Sequence, residues 1–257
     1  MREALHNLLP ITLEEMDSIK LMNRVDTKYL TDEATLVKVL EDSAAAGYRA
    51  LVTGGSMVIP YNSIYYDTKG LRMFLDHRNQ KLNRQKVRTR EYVNSGIAYL
   101  EIKRKKNNGR VKKKRIQIPP GEMTDFSTDG DAVSFLERQS DFTLSRLSPV
   151  LSTEFDRITL VNPSKTERIT IDKRLEFNNF RTGKRASLLD TVIIEIKQDG
   201  RAASQMKGIL LDHRVKPVRV SKYCVAVTLT DSSARSGRFK EKVRAIEKTI
   251  NKKITVI

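Results

Sequence analysis

The sequence predicts an α+β chain built around an antiparallel sheet of about eight strands, enough to close a barrel, with flanking helices. Three observations predict it. Charged and aliphatic residues alternate in Tyr99-Leu100-Glu101-Ile102-Lys103 and in Ile193-Ile194-Glu195-Ile196-Lys197, which puts Glu and Lys on one strand face and the aliphatic residues on the other. Between two alternating basic runs lies Asn107-Asn108-Gly109-Arg110, a hairpin signal because Asn and Gly tolerate the positive φ of tight turns. Several connections are also too short for a crossover helix, which favours antiparallel pairing over a parallel α/β sheet.

The strand candidates, in order, lie near 23–30, 61–67, 85–93, 97–106, 111–118, 150–161, 168–177 and 191–197. Helical spacing is read over 32–46, with Thr31 as N-cap, and over 131–139, 201–213, 221–230 and 235–251. The connections expected to be most flexible are Gly54-Gly55-Ser56, Asn107 to Arg110, Gly121 to Gly130 and Ser232 to Gly237. The last helix carries a stripe of Phe239, Val243, Ile246 and Ile250 on a basic background. That stripe is expected to pack on the outside of the barrel, the alternative being a docking helix for a membrane partner or acidic lipid.

At 257 residues and 39% hydrophobic content, the chain is expected to form one domain, 1–257, with a real core. Its 48 Lys plus Arg against 31 Asp plus Glu give a formal charge of +17, which points to an anionic partner: nucleic acid, an acidic membrane or a phosphate-rich small molecule. Charge alone does not choose among them. Cys224 is the only cysteine, so no intramolecular disulfide forms and a reducing compartment is expected. The stretch Met1 to Lys20 is broken by acids and lacks the apolar core of a signal peptide, and no apolar run approaches a bilayer span.

By the same period-two count, Lys86, Arg88, Arg90 and Tyr92 share a face. So do Arg24, Asp26 and Lys28; Glu101, Lys103 and Lys105; Arg168, Thr170 and Asp172; and Glu195 and Lys197. A solvated outer surface explains any one such strand, but recurrence on many strands describes a cationic lumen with a few carboxylates. Like charges in a partly desolvated space demand an anion, and a linear polyphosphate or a nucleoside triphosphate meets that demand. Carboxylates beside phosphate oxygens can hold Mg²⁺ or Mn²⁺; Glu195 and Glu101 are the candidates, each alternatively a structural partner of a nearby Lys or Arg.

Ser221-Lys222-Tyr223 opens a helix, where it is either a phosphate-attracting N-terminus or an ordinary cap with a solvated lysine. His6, His77 and His213 lack a metal-ligand spacing and read as surface or structural, and Cys224 reads as core. Glycine-rich phosphate loops, dinucleotide fingerprints and kinase signatures are absent from the sequence.

Taken in order, Arg24-Val-Asp-Thr-Lys28-Tyr29, Tyr65-Tyr66-Asp67, Arg88-Thr-Arg90, Glu101-Ile-Lys103, Phe155-Asp-Arg157, Arg168-Ile-Thr-Ile-Asp172, Glu195-Ile-Lys197 and Ser221-Lys222-Tyr223 resemble the catalytic domain of the vacuolar transporter chaperone (VTC) polyphosphate polymerases. That family is a branch of the triphosphate tunnel metalloenzyme, or CYTH-like, superfamily. The likeness covers roughly residues 20 to 230.

The resemblance implies an antiparallel β-barrel tunnel in which the terminal phosphoryl group of ATP passes to a growing polyphosphate chain, assisted by Mn²⁺ or Mg²⁺. Carried over by position, Lys28, Arg88, Arg90 and Lys103 are catalytic, and Arg157, Arg168 and Lys222 cradle phosphates. Ser221 adds a hydrogen bond, Glu195 with Glu101 beside it serves the metal, and one of Lys112 to Arg115 joins the set. The partners implied are ATP and inorganic polyphosphate rather than nucleic acid. The expected location is cytoplasmic, peripheral at a membrane only through a membrane-protein partner that supplies any pore. Where the wider superfamily opens with Glu-x-Glu-x-Lys, this chain has Arg24-x-Asp26-x-Lys28, so one metal ion is expected rather than two. A metal-dependent triphosphatase and a non-catalytic polyanion-binding module are the alternatives.

Overall fold

In a computed structural model that describes all residues except 18, 20–23 and 201, the strand pattern of the sequence becomes one continuous curved sheet. The strands are β1 (Leu9–Ile11), β2 (Arg24–Asp32), β3 (Arg49–Leu51), β4 (Ile59–Asp67), β5 (Arg84–Tyr92), β6 (Ile97–Lys105), β7 (Val111–Ile118), β8 (Ser148–Val161), β9 (Glu167–Asn179), β10 (Arg185–Leu188) and β11 (Thr191–Asp199). The helices are α1 (Arg2–His6), α2 (Leu13–Asp17), α3 (Glu33–Ala45), α4 (Arg72–Arg78), α5 (Gly130–Gln139), α6 (Gln205–Asp212), α7 (Lys222–Thr230) and α8 (Gly237–Thr249).

Eight strands run in the order β2-β11-β9-β8-β4-β5-β6-β7, each antiparallel to its neighbours. They correspond to the eight strand segments read from the sequence, with residue 23 of the first lying outside the described residues. The antiparallel architecture is as expected, but the wall is a half-barrel: among the described residues no ladder joins β2 to β7. The hairpin at 107–110 links β6 to β7, with Gly109 at φ +77° and Lys106 donating its amide to the Arg110 carbonyl at 2.9 Å.

Alternation gives the sheet two unlike faces. On the convex face, Ile158, Ile169, Ile171, Ile194 and Ile196 bury against α1, α3 and α6, while Val87, Leu100 and Ile102 bury against α5. Fully burying side chains of this size contributes about 1.5–3 kcal/mol each. On the concave face a third core fills part of the space, where Tyr65, Leu151 and Phe177 meet Tyr223, Val225 and Val227 of α7. Charged residues occupy the rest of that face.

Helix ends follow local chemistry, with one correction. Asp32, not Thr31, caps α3, its side chain accepting from the Thr35 amide at 2.7 Å, because Thr31 still belongs to the strand that pairs with β11. Asp129 and Ser204 cap α5 and α6 in the same way. A second correction concerns α8. Ile246 and Phe239 join the concave core beside Phe74, so α8 covers α4 and α7 instead of lying on the sheet's outer surface. The expected stripe is real, but its apolar partner is the helical plug.

Asp67, fully buried at the end of β4, ties this plug together. Its carboxylate accepts from the amides of Thr68 (2.7 Å), Met73 (2.9 Å) and Phe74 (2.9 Å) and from the Tyr223 hydroxyl (2.7 Å). One side chain therefore caps α4 and anchors α7. A bulge between Glu154 and Asp156 shifts the β8–β9 register and places Arg174 at φ +52°. It bends the sheet beside Phe155 and Arg157.

Two stability changes follow. Replacing Asp67 with Ala strands four donors, three of them buried, and should lower unfolding stability by about 3 kcal/mol or more, read as the urea midpoint. Arg174→Gly should instead raise unfolding stability by about 1 kcal/mol, seen as a higher urea midpoint, since glycine accepts the left-handed conformation and the ion pair lost, 3.3 Å to Asp156 from a side chain 61% exposed, is worth little.

Candidate functional site

The charged part of the concave face is assembled by strand register. β5 offers Lys86, Arg88 and Arg90; directly opposite on β6 stand Lys103, Glu101 and Tyr99, and beyond them on β7 stand Lys113 opposite Lys103 and Arg115 opposite Glu101. On the other flank Lys28 of β2 faces Glu195 of β11, which faces Thr170 of β9, while Arg157 of β8 faces Asp172 of β9. α7 enters with its N-terminus toward this cluster, bringing Ser221 and Lys222. The flanks approach across the groove, for the charge of Glu195 acts on Lys103 and that of Lys28 on Lys86.

Two carboxylates are clamped. Glu101 Oε2 accepts from Arg88 Nη2 at 2.6 Å and Nε at 2.8 Å, and its other oxygen pairs with Lys113. Asp172 takes a bidentate pair from Arg157, 2.6 Å at Nε and 2.8 Å at Nη2, and also binds Lys222. Burial alone would raise both carboxyl pKa values, but the surrounding cations outweigh it and hold them well below the carboxylate range. Glu195 is held more loosely, 3.2 Å from Lys197 and 3.8 Å from Lys28. It too stays ionised, its burial outweighed by Lys197, Lys28, Arg157 and Lys103.

The cations outnumber these acids, and their ammonium groups register it. Burial, with help from neighbouring cations, brings Lys103, Lys113 and Lys222 down to about 8, even though Glu195, Glu101 and Asp172 respectively pull the other way. Arg90 is lowered to about 10 by burial and by Arg88 and Arg157. Aromatic faces absorb part of the charge: Arg90 lies 5.3 Å from the Tyr61 ring centre, Arg157 4.9 Å from it, and Lys222 4.1 Å from the Phe155 ring centre. Arg90 also donates to Ser63 Oγ at 2.9 Å. At the groove's end His77 stacks on Phe239, and burial beside Lys86, Arg84, Lys28 and Lys105 keeps its imidazole neutral, with a pKa of about 3.

Most residues singled out in the sequence therefore meet. Lys28, Arg88, Arg90, Lys103, Arg157, Lys222, Glu101 and Glu195 share the groove. Arg168 stands on the same strand face but donates to the Met16 carbonyl. Ser221 occupies the N-cap position of α7, yet its Oγ accepts from Lys86 Nζ at 3.1 Å and caps no helix amide. Register decides the β7 contribution in favour of Lys113 and Arg115, the latter 4.4 Å from the Tyr99 ring centre. Cys224 is buried, as expected of a core residue.

The clamp role of Asp172, the bond from Lys86 to Ser221 and the Tyr61–Phe155 platform were missed. Period-two counting placed Asp172 and Lys86 on the right face, but their partners depend on strand order. Beside the Tyr61–Phe155 platform a hollow of about 420 Å³ is lined by Glu91, Glu154, Asp156 and Glu176 with Arg174 the one cation among them, a net acidic lining that would repel phosphate.

A metal could be served by Glu195, the acid with the loosest contacts. No three His, Cys, Asp or Glu side chains converge on a metal position among the described residues, so phosphate oxygens would have to complete the ligand set. No helix of the described residues is long and apolar enough to cross a membrane.

Solved structures share the fold. An adenylate cyclase candidate from Bacillus halodurans aligns with a TM-score of 0.52 at 13% identity, covering 78% of this chain and 96% of its own. An adenylyl cyclase candidate from Hippeastrum, whose dominant activity is that of a triphosphatase, aligns with a TM-score of 0.53 at 13% identity, covering 80% of this chain and 96% of its own. No curated protein matches the sequence. The VTC domain profile matches residues 23–230, the span that holds every strand of the groove, and the chain belongs to the VTC domain family.

Proposed function

We propose that this chain is an ATP-dependent polyphosphate polymerase that works in the concave groove. The observation that carries the proposal is the excess of fixed cations along that face: Lys28, Lys86, Arg88, Arg90, Lys103, Lys113, Arg157, Lys197 and Lys222 stand against Glu101, Asp172, Glu195 and Asp26, the last paired with Arg24. A linear chain of phosphates matches such a row in charge and in shape. Nucleic acid fits it less well, because the cations line an inner face that a chain without bulky bases can follow.

In this reading, an oxygen of the terminal phosphate on the growing chain attacks the γ-phosphorus of ATP. The bond to the β–γ bridging oxygen breaks, and ADP leaves with that electron pair. The attacking oxygen is already ionised at neutral pH, so no protein nucleophile is needed. Arg88 and Arg157, fixed by Glu101 and Asp172, hold planar donor forks in place before the substrate arrives. Arg90, Lys103 and Lys222 neutralise charge that develops on the transferring group and the departing ADP. A divalent ion, Mn²⁺ or Mg²⁺, bound through Glu195 would neutralise phosphate charge in the same way.

The direct test incubates the protein with γ-labelled ATP and Mn²⁺, with and without a short polyphosphate primer, and resolves products by length. A ladder of labelled chains is expected; Lys103→Ala and Glu195→Ala should each reduce it by about 100-fold or more. Free phosphate as the sole product would make the protein a triphosphatase, and absence of turnover by folded protein would make it a binding module. Affinity for tripolyphosphate should also fall as pH rises through about 8, where Lys103, Lys113 and Lys222 lose their protons, as measured by calorimetry.

A further inference from the structure

Tyr65 stands in the groove wall among four cationic side chains. It is buried at 6% exposure in the middle of β4, on the strand face that carries Tyr61 and Ser63. Its ring stacks on Tyr223 of α7, centre to centre 5.1 Å at 23°, and its oxygen lies 3.3 Å from Arg88 Nη1. From β5 the charges of Lys86, Arg88 and Arg90 face it, and from α7 that of Lys222.

The acids near this cluster are committed elsewhere: Glu101 to Arg88 and Lys113, Asp172 to Arg157 and Lys222, and Asp67 to three amides and the Tyr223 hydroxyl. Leu151 stands opposite Tyr65 on β8 and contributes no charge.

We propose, building on the phosphate-chain reading, that Tyr65 is an exchangeable counter-charge of the groove. At slightly alkaline pH its oxygen is ionised in the ligand-free protein and takes one proton from solvent when a phosphate chain enters, becoming a hydrogen-bond donor to that chain. The exchange is forced by charge balance. Without phosphate, a phenolate beside four cations lowers their mutual repulsion; beside a polyanion the same phenolate would repel the substrate. Burial pushes the phenol up, but Arg88, Arg90, Lys86 and Lys222 outweigh it and bring it down to about 7. Tyr48 and Tyr66 are instead pushed up by burial, as is Tyr223, so they stay protonated in that range.

Ultraviolet difference absorbance of tyrosinate tests this, in buffer without phosphate or metal and across about pH 5 to about pH 9. The expected result is one tyrosinate titrating near neutrality, abolished in Tyr65→Phe and lost on saturation with tripolyphosphate. Lys86→Met should move the midpoint up, which identifies the group even if Tyr65→Phe fails to fold. A flat absorbance, or a band that survives in Tyr65→Phe, would overturn the proposal. Calorimetry on the same samples separates the two readings. Binding of tripolyphosphate that leaves the band unchanged sinks the exchange alone. Failure to bind at all sinks the phosphate-chain reading and the exchange with it, while the tyrosinate of the ligand-free protein remains visible.

Discussion

Mutual repulsion among the cations of the concave face is the constraint on which the rest of the structure depends. Two unit charges 4 Å apart interact by about 4 kcal/mol at the effective dielectric of a protein surface, so an uninterrupted bank of lysine and arginine would cost more than a domain's whole stability. The groove is organised against that cost. Arginines are clamped by buried carboxylates, Arg90, Arg157 and Lys222 lie over the Tyr61 and Phe155 rings, and Lys86 bonds the Ser221 hydroxyl. Side chains held this way have little left to reorganise when a phosphate arrives, which is where electrostatic catalysis gains its advantage.

The plug that closes the apolar part of the same face is linked to this arrangement. Asp67 and Tyr223 come from two motifs that stand far apart in the chain, Tyr65-Tyr66-Asp67 and Ser221-Lys222-Tyr223, and their hydrogen bond places the start of α7. Lys222 then reaches Asp172 and its neighbour Ser221 meets Lys86. The packing of the core thus sets the position of two groove residues, and the apolar and polar halves of the face cannot be moved independently.

The legible part of the sequence was its period of two. Eight strands of eight or more residues announced themselves because an amphipathic strand repeats its pattern several times over that length, and Asn107 to Arg110 marked the β6–β7 turn. β1, β3 and β10, of three or four residues, are too short for alternation to show, and α4 hides its start because its cap is Asp67 of the preceding strand. Thr31 looked like a cap because the strand's last residue, Asp32, can do the same work one position later. Partners were illegible for a different reason. That Arg88 clamps Glu101 and Arg157 clamps Asp172 depends on which strands are neighbours and in what register, information carried by the fold and not by either segment.

Among the described residues β7 pairs only with β6 in the sheet and so leaves its other side as an edge. Along that edge run Lys112, Lys114 and Arg115, all exposed, and Lys113, which leans inward to Glu101. A second molecule aligning its own β7 there would bring like charges into register at strand spacing, so the edge rejects copies of itself. The basic run thereby guards the chain against edge-to-edge aggregation, and that guard weakens in high salt, where the repulsion is screened over a few ångströms.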